Sequence, residues 1–307
     1  MIKYLLITII ILNIIGTISY VIHRSNDFYV DKFIQRKIIL DNIPDIDVTT
    51  IINTCCRHNT PDDSIIKQCI QSLKKIPELT KYIIIVFDGS YINQEKYIHK
   101  KCKDKCDNEK YEIYKKKVIK FTKDLYPNSD LQFIEMKERS CLTTSLKKGM
   151  SKAKTEYINL MQEDLIINKK FDAKNILKIM NEYDDMSIVR YSKGSNLSHE
   201  KYGKQLGIKN IKSIIQINDY IFSKSNEYSD NNHITTKTFY DKHVWPRVKS
   251  CDFMEHSISI SDKMKDFPSE MWYIGDYNDG NYINNDFINT YGDSKIISKE
   301  QILAAAA

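Results

Sequence analysis

From Val48 onward the apolar positions fall into short runs separated by amphipathic stretches. Val48–Thr54 (VTTIINT) is rich in β-branched residues and predicts a strand. A helix start follows, with Thr60 as N-cap, Pro61 at the first helical position and Asp62 and Asp63 in the first turn. Ile65, Ile66, Cys69, Ile70 and Leu73 give that helix its apolar face. Tyr82–Phe87 (YIIIVF) is apolar without alternation, as a strand buried on both faces requires. Further strands are expected at Leu131–Met136, Tyr157–Met161 and Ser187–Tyr191. Between them, Leu142, Leu146, Met150 and Ala153 mark one helix face, and Ala173–Tyr183 marks another helix. Strands alternating with helices predict a three-layer α/β/α architecture around a mostly parallel sheet.

The second half is less regular. It suggests a strand over Ile214–Phe222, a short helix over Thr236–Val244 stopped by Pro246, and a helix over Phe253–Ile260. After Asp266 turn-forming residues dominate, and no element is predicted.

The N-terminus carries a different pattern. Tyr4–Ile22 is free of charge and about 19 residues long, close to the ~20 that cross a bilayer as a helix. A signal anchor over residues 1–24 is the expectation. A cleaved signal, with Gly16-Thr17-Ile18-Ser19 as its weak processing region, and a buried soluble helix are the alternatives. Residues 25–47 then read as a stem, 48–192 and 193–303 as two halves of one catalytic domain, and Ala304–Ala307 as a tag remnant. On this reading the protein is a single-pass membrane protein with its domain in a lumen or outside the cell.

Composition adds little to the fold. The 307 residues carry a net charge of +6, and the abundance of Ile, Lys and Asn reads as coding bias. Tyr91–Tyr126 holds about 11 lysines against about 6 acids. A solvated helix and loop explains this segment, and attraction to anionic lipid or a sugar phosphate is the alternative. Charge confined to one segment argues against a nucleic-acid binder. The seven cysteines show no zinc spacing. Cys102 and Cys106 would share a helix face, where a disulfide can form in an oxidising compartment. Asn196-Leu197-Ser198 is a glycosylation sequon.

In an open α/β sheet, ligands bind outside the carboxyl ends of the strands. Here those ends read Thr54-Cys55-Cys56-Arg57, Asp88-Gly89-Ser90 and Gln162-Glu163-Asp164, all polar and all expected on one rim. Neither a dinucleotide fingerprint nor a P-loop is present.

The series IINTCCRHN, SLKKIP, IIIVFDGS and KKGMSKAKTEYINLMQEDLII, over roughly residues 48–170, resembles the donor-binding half of GT-A glycosyltransferases, family-2-like enzymes above all. The resemblance implies transfer of a sugar, hexosyl in type, from a nucleotide-sugar donor to a glycan or glycoprotein acceptor. It implies that Thr54, Arg57, Asp88 and Gly89 hold the nucleotide, that Arg139 and Lys148 lie near its phosphates, and that Glu163 and Asp164 bind Mn²⁺ or Mg²⁺. Gln162 departs from the D-x-D form of that acidic motif. Glu255, at the start of a short helix, is the implied general base for inverting transfer, with Asp230 and Asp276 as alternatives. His233 and His256 are further candidates for a metal or phosphate contact, and Trp245, Trp272 and Tyr273 for sugar stacking. A catalytically inactive, glycan-binding relative is the competing reading.

Overall fold

The computed structural model describes residues 32–55, 63–89, 108–138, 140–191, 211–225, 228–250, 254–259, 271–274 and 283–284. The Tyr4–Ile22 run lies outside them, as do Cys102, Cys106 and Asn196. Among the described residues no helix is long and apolar enough to cross a membrane.

Four parallel strands form the core of the sheet: β2 (Val48–Thr54), β3 (Tyr82–Phe87), β4 (Asp130–Glu135) and β5 (Tyr157–Gln162). Each lies within two residues of its expected span. Helices α1 (Ser64–Ser72), α2 (Asn108–Leu125) and α3 (Cys141–Lys152) connect them. After β5 come β6 (Ile166–Ile167), α4 (Ala173–Glu182), β7 (Ile188–Arg190), β8 (Ile211–Ile217), β9 (Tyr220–Ser225) and β10 (His233–Thr236). A continuous helical stretch follows over Lys237–Phe239, Tyr240–Val244 and Trp245–Arg247. Then come α5 (Met254–Ser259), β11 (Met271–Ile274) and β12 (Ile283–Asn284), the last paired with β6.

The main sheet has ten strands in the order β1-β8-β9-β11-β7-β10-β5-β2-β3-β4, where β1 is Lys32–Arg36. β10 enters antiparallel between β5 and β7. The order doubles back around β2: its successor β3 lies on one side and β5, reached after β4, on the other.

Successive strand residues alternate between two cores, as a pleated strand requires. Ile52, Ile83, Ile85 and Phe87 join α1, α2 and α4 on one face. Ile51, Ile84 and Val86 join α3, the 237–247 stretch and α5 on the other. The three expected layers are present.

Five local differences from the expected pattern have physical causes. First, α1 begins at Ser64 behind Asp63, whose side chain makes no capping bond, while Thr60 and Pro61 lie outside the described residues. Second, Ile214–Phe222 is a hairpin and not one strand. Asn218 takes a φ of 53° at its turn, a conformation Asn tolerates better than most residues. Third, Thr236 caps the helical stretch by accepting from the Phe239 amide at 3.1 Å. Pro246 sits inside the final tight turn, where its missing N–H costs nothing, so it ends the stretch without cutting it short. Fourth, part of the expected stem is edge strand β1, parallel to β8. Fifth, β11 occupies the middle of the sheet with Trp272 fully buried.

Candidate functional site at the carboxyl ends of the parallel strands

Thr54 ends β2 and is wholly buried. Its hydroxyl donates to Glu163 Oε2 and lies 2.5 Å from the Tyr114 hydroxyl. Tyr114 is also 3.3 Å from Glu163 Oε2, and the Cys55 thiol donates to Glu163 Oε1 at 3.7 Å. Glu163 is therefore turned toward the end of β2 and the side of α2. Burial and then the nearby Glu163 carboxylate push the Tyr114 hydroxyl well above its usual range, so it stays protonated.

Asp88 follows β3 directly, and its amide donates to Thr54 O at 2.8 Å. Asp88 and Glu163 are thus each one hydrogen bond from Thr54. Asp88 is 3% exposed, and its carboxylate ties down the start of α3. Oδ1 accepts from the amides of Ser140 (2.6 Å) and Gly89 (2.9 Å) and from the Ser140 hydroxyl (2.8 Å), and Oδ2 accepts from the Cys141 amide at 3.1 Å. Cys141 sits at φ 58°, a left-handed conformation that costs a non-glycine residue on the order of 1–3 kcal/mol. The Asp88 bonds hold it there. Tyr111 donates to Asp88 O at 2.6 Å.

The acidic turn follows β5. Leu165 N donates to Gln162 O at 3.1 Å and closes it. Glu163 and Asp164 are both 6% exposed. The Cys69 thiol of α1 donates to Gln162 O at 3.4 Å. Burial, then the charges of Asp164 and Glu163, raise that thiol well above its usual range, so Cys69 is an inert part of the floor. Gln162 donates from Nε2 to Asp230 O and Oδ1, both at 3.1 Å.

The structure thus brings Thr54, Asp88, Gly89, Glu163 and Asp164 to one edge of the sheet. Lys148 does not join them: α3 starts at this rim, and Lys148 lies exposed about 10 Å further along its axis. Arg57, Arg139 and Asp276 lie outside the described residues. The backbone of Glu255 is the second residue of α5, and its side chain, like that of His256, lies outside the description. His233 is buried, with Nε2 2.9 Å from the Tyr240 hydroxyl and Nδ1 2.6 Å from Asn231 O. Both ring nitrogens are used, so it is a structural residue and not a metal contact. Trp272 donates to Asp185 O at 2.9 Å within the core, and Trp245 packs on Tyr240 with ring centres 4.9 Å apart.

Sequence reading missed Tyr111 and Tyr114. They lie at i,i+3 on α2, inside the lysine-rich segment, and that spacing was the available signal. It also missed Ser140 and Asn232, single polar residues whose partners are remote in the chain. A separate open cavity of about 750 Å³ lies at the other end of the sheet, lined by Gln35, Arg36, Asp41, Asn175 and the Asn218-Asp219 turn.

A parallel sheet that doubles back, with hydroxyls and carboxylates gathered at the carboxyl ends of its strands, is the arrangement of nucleotide-binding α/β proteins. The profile of Glycosyl transferase family 2 matches residues 55–243, more than half of the chain, and the chain belongs to that family. Among solved structures it is similar to mannosyltransferase PcManGT from Pyrobaculum calidifontis in complex with GDP-Man and Mn²⁺, with 12% identity and a TM-score of 0.41 over 66% of this chain and 50% of that one. It is similar also to GalNAc-T7 with UDP, GalNAc and Mn²⁺, with 10% identity and a TM-score of 0.48 over 76% of this chain and 43% of that one. A third is 4-diphosphocytidyl-2C-methyl-D-erythritol synthase from Anaerococcus prevotii, with 12% identity and a TM-score of 0.39 over 85% of this chain and 94% of that one. This chain thus spans half the length of the mannosyltransferase and less than half of GalNAc-T7. No curated protein matches the sequence.

Proposed function

We propose that the protein transfers a sugar from a nucleotide-sugar donor to a hydroxyl of a glycan or glycoprotein acceptor, by inverting displacement assisted by Mn²⁺ or Mg²⁺. The observation that carries this reading is the convergence of Thr54, Asp88, Glu163 and Asp164 from three parallel strands at one rim, in a chain of this family. The bonds of Asp88 give it the role of shaping the nucleotide wall by fixing the start of α3. Gly89 and the Ser140–Cys141 backbone then present the wall to the donor.

Among the described residues no group of three His, Cys, Asp or Glu is placed to hold a metal by itself. That fits a hard cation shared with the donor, since Mg²⁺ is usually held by one or two carboxylates together with substrate phosphates. Glu163 and Asp164, side by side after β5, are the carboxylates assigned to the cation, and Asp164 matches the last acid of the D-x-D motif. When bound, the cation would offset the negative charge that develops on the departing diphosphate. Glu255 is assigned to accept the acceptor's proton. Met254 and Ile258 anchor its helix in the core, and the Tyr228 hydroxyl lies 3.9 Å from Met254 Sδ. The membrane reading of Tyr4–Ile22, with the domain in a lumen or outside the cell, accompanies this proposal.

The test is Mn²⁺-dependent hydrolysis or transfer across UDP-, GDP- and dTDP-sugars. Asp164→Ala is expected to lower the rate at least about 100-fold while the fold persists. An unchanged rate removes Asp164 from the cation. The competing reading, a glycan-binding relative without activity, is favoured by Gln162 and by the inward-turned Glu163. It requires that calorimetry find glycan binding and no Mn²⁺-dependent nucleotide binding.

A further inference from the structure

The acidic turn Gln162–Leu165 is held from both ends by a segment far along the chain. We infer that Tyr228–His233 is a clamp on this turn, and that Asp230 and Asn232 are positioning residues for the donor site, acting through Gln162 and Leu165. The inference rests on the reading of the rim as a donor site.

Asn232 carries most of the argument. Its Oδ1 accepts from the Gln162 amide at 2.8 Å, and its Nδ2 donates to Leu165 O at 3.0 Å. One fully buried side chain thereby fixes the main chain on either side of Glu163 and Asp164. Water does not compete at such a site, so both bonds act at full strength and neither is easily replaced. Asp230 fixes the side chain of Gln162 through the two 3.1 Å contacts to its Nε2. Gln162 needs only an acceptor there, so toward Gln162 the geometry assigns Asp230 the role of acceptor.

The clamp is itself anchored. Asn232 O accepts from the Tyr191 amide at 3.0 Å. His233 lies in register with Leu160 of β5 and Arg190 of β7, and Arg190 donates to Ser229 Oγ at 2.6 Å. The Nδ1–H of His233 donates to Asn231 O, which leaves Nε2 to accept from the Tyr240 hydroxyl, and Tyr240 lies 2.9 Å from the Tyr228 hydroxyl. Tyr228 in turn touches Met254, the residue before Glu255. The same six residues thus join the donor-side turn to the helix assigned to the acceptor side.

The test compares wild type with Asn232→Ala, Asp230→Asn and Asp230→Ala. Two readouts are taken: calorimetric titration with UDP and with GDP in the presence of Mn²⁺, and hydrogen exchange at the Gln162 amide. Asn232→Ala and Asp230→Ala are each expected to weaken nucleotide binding about tenfold, as the loss of one or two buried hydrogen bonds should. Asn232→Ala should also speed exchange at Gln162 by tenfold or more, since that amide loses its acceptor. Asp230→Asn keeps an acceptor and should bind within about twofold of wild type. Wild-type affinity and exchange in Asn232→Ala would overturn the clamp. Equal losses in Asp230→Asn and Asp230→Ala would overturn the positioning role of Asp230, because its charge would then be what matters. If wild type binds neither UDP nor GDP, dTDP is titrated in their place; binding of none of the three fails the proposed function, while exchange in Asn232→Ala still decides whether the clamp exists. If Asn232→Ala does not fold, Asp230→Ala, which leaves both Asn232 bonds in place, carries the binding arm.

Discussion

At the scale of single residues, the site rests on polar side chains that are buried and fully used. His233 shows what this does to a titratable group. Its pKa is lowered from 6.5 to about 4: burial is the main cause, the hydrogen bond to Asn231 partly opposes it, and the charge of Arg190 adds a smaller lowering. The ring is therefore neutral in the folded protein while the unfolded chain takes up a proton below pH 6.5. Above pH 6.5 neither state binds the proton and the group has no effect. Between pH 6.5 and about 4 the unfolded state is favoured by one proton, so stability falls as pH falls. Roughly 3 kcal/mol should be lost across that window and no more below it. Urea unfolding at steps of pH, compared with His233→Gln, should show wild type losing this extra stability. Parallel pH profiles would mean that the ring is charged or solvated. The sequence exposed the candidates Thr54, Asp88, Glu163 and Asp164, because each closes an apolar run. It did not reveal that Asp88 serves α3 or that Glu163 faces Tyr114, since both partners are supplied by helices whose docking no local pattern records.

At the scale of elements, legibility tracked how local each element's causes are. The strands of the parallel core were readable because their two buried faces demand unbroken apolar runs. Helix α3 was readable from Leu142, Leu146, Met150 and Ala153, all of which pack on the sheet. β11 was not, for Met271–Ile274 is too short to show a period and is strand only because β7 and β9 pair with it. The docking of α3 depends on a residue the apolar pattern passes over. A Cβ at Gly149 would lie 2.8 Å from Ile51 Cγ2 and 3.1 Å from Val86 Cγ2. Both are β-branched side chains on buried central strands, with little room to turn aside. Alanine is the better helix former by up to ~1 kcal/mol, but overpacking a tight interface costs about 1–3 kcal/mol. Gly149→Ala should therefore destabilise the protein by about 1–2 kcal/mol, read as a lower urea midpoint at unchanged slope. Because α3 begins at the rim, the same variant should also weaken nucleotide binding, whereas a stabilising effect would mean that helix and sheet separate easily here.

At the scale of the whole molecule, one sheet runs from the parallel core strands to an edge built from residues expected to be a stem. β1 pairs in parallel with β8 across about 180 positions of sequence, from Lys32↔Ser213 to Arg36↔Ile217. A short peripheral strand is a weak attachment on its own. What fixes it is a side chain imitating backbone. Asn218 Oδ1 accepts from the Ile38 amide at 3.0 Å, and Nδ2 donates to Ile38 O at 2.9 Å. Beyond this strap, Lys178 reaches Leu40 O at 3.1 Å and Asp45 at 3.5 Å, holding the following turn on α4. The segment therefore covers the edge of β8, which would otherwise present unpaired N–H and C=O groups to other chains. Asn218→Gly tests this without disturbing the hairpin, since glycine accepts the 53° φ at no steric cost. Only the strap is lost. The variant should keep its global urea midpoint within about 1 kcal/mol yet be cleaved several times faster between residues 36 and 43 in limited proteolysis, and it should self-associate at high concentration. Unchanged cleavage would show that β1 is held by its ladder alone. In that case the amide of Asn218 serves only to shape the turn.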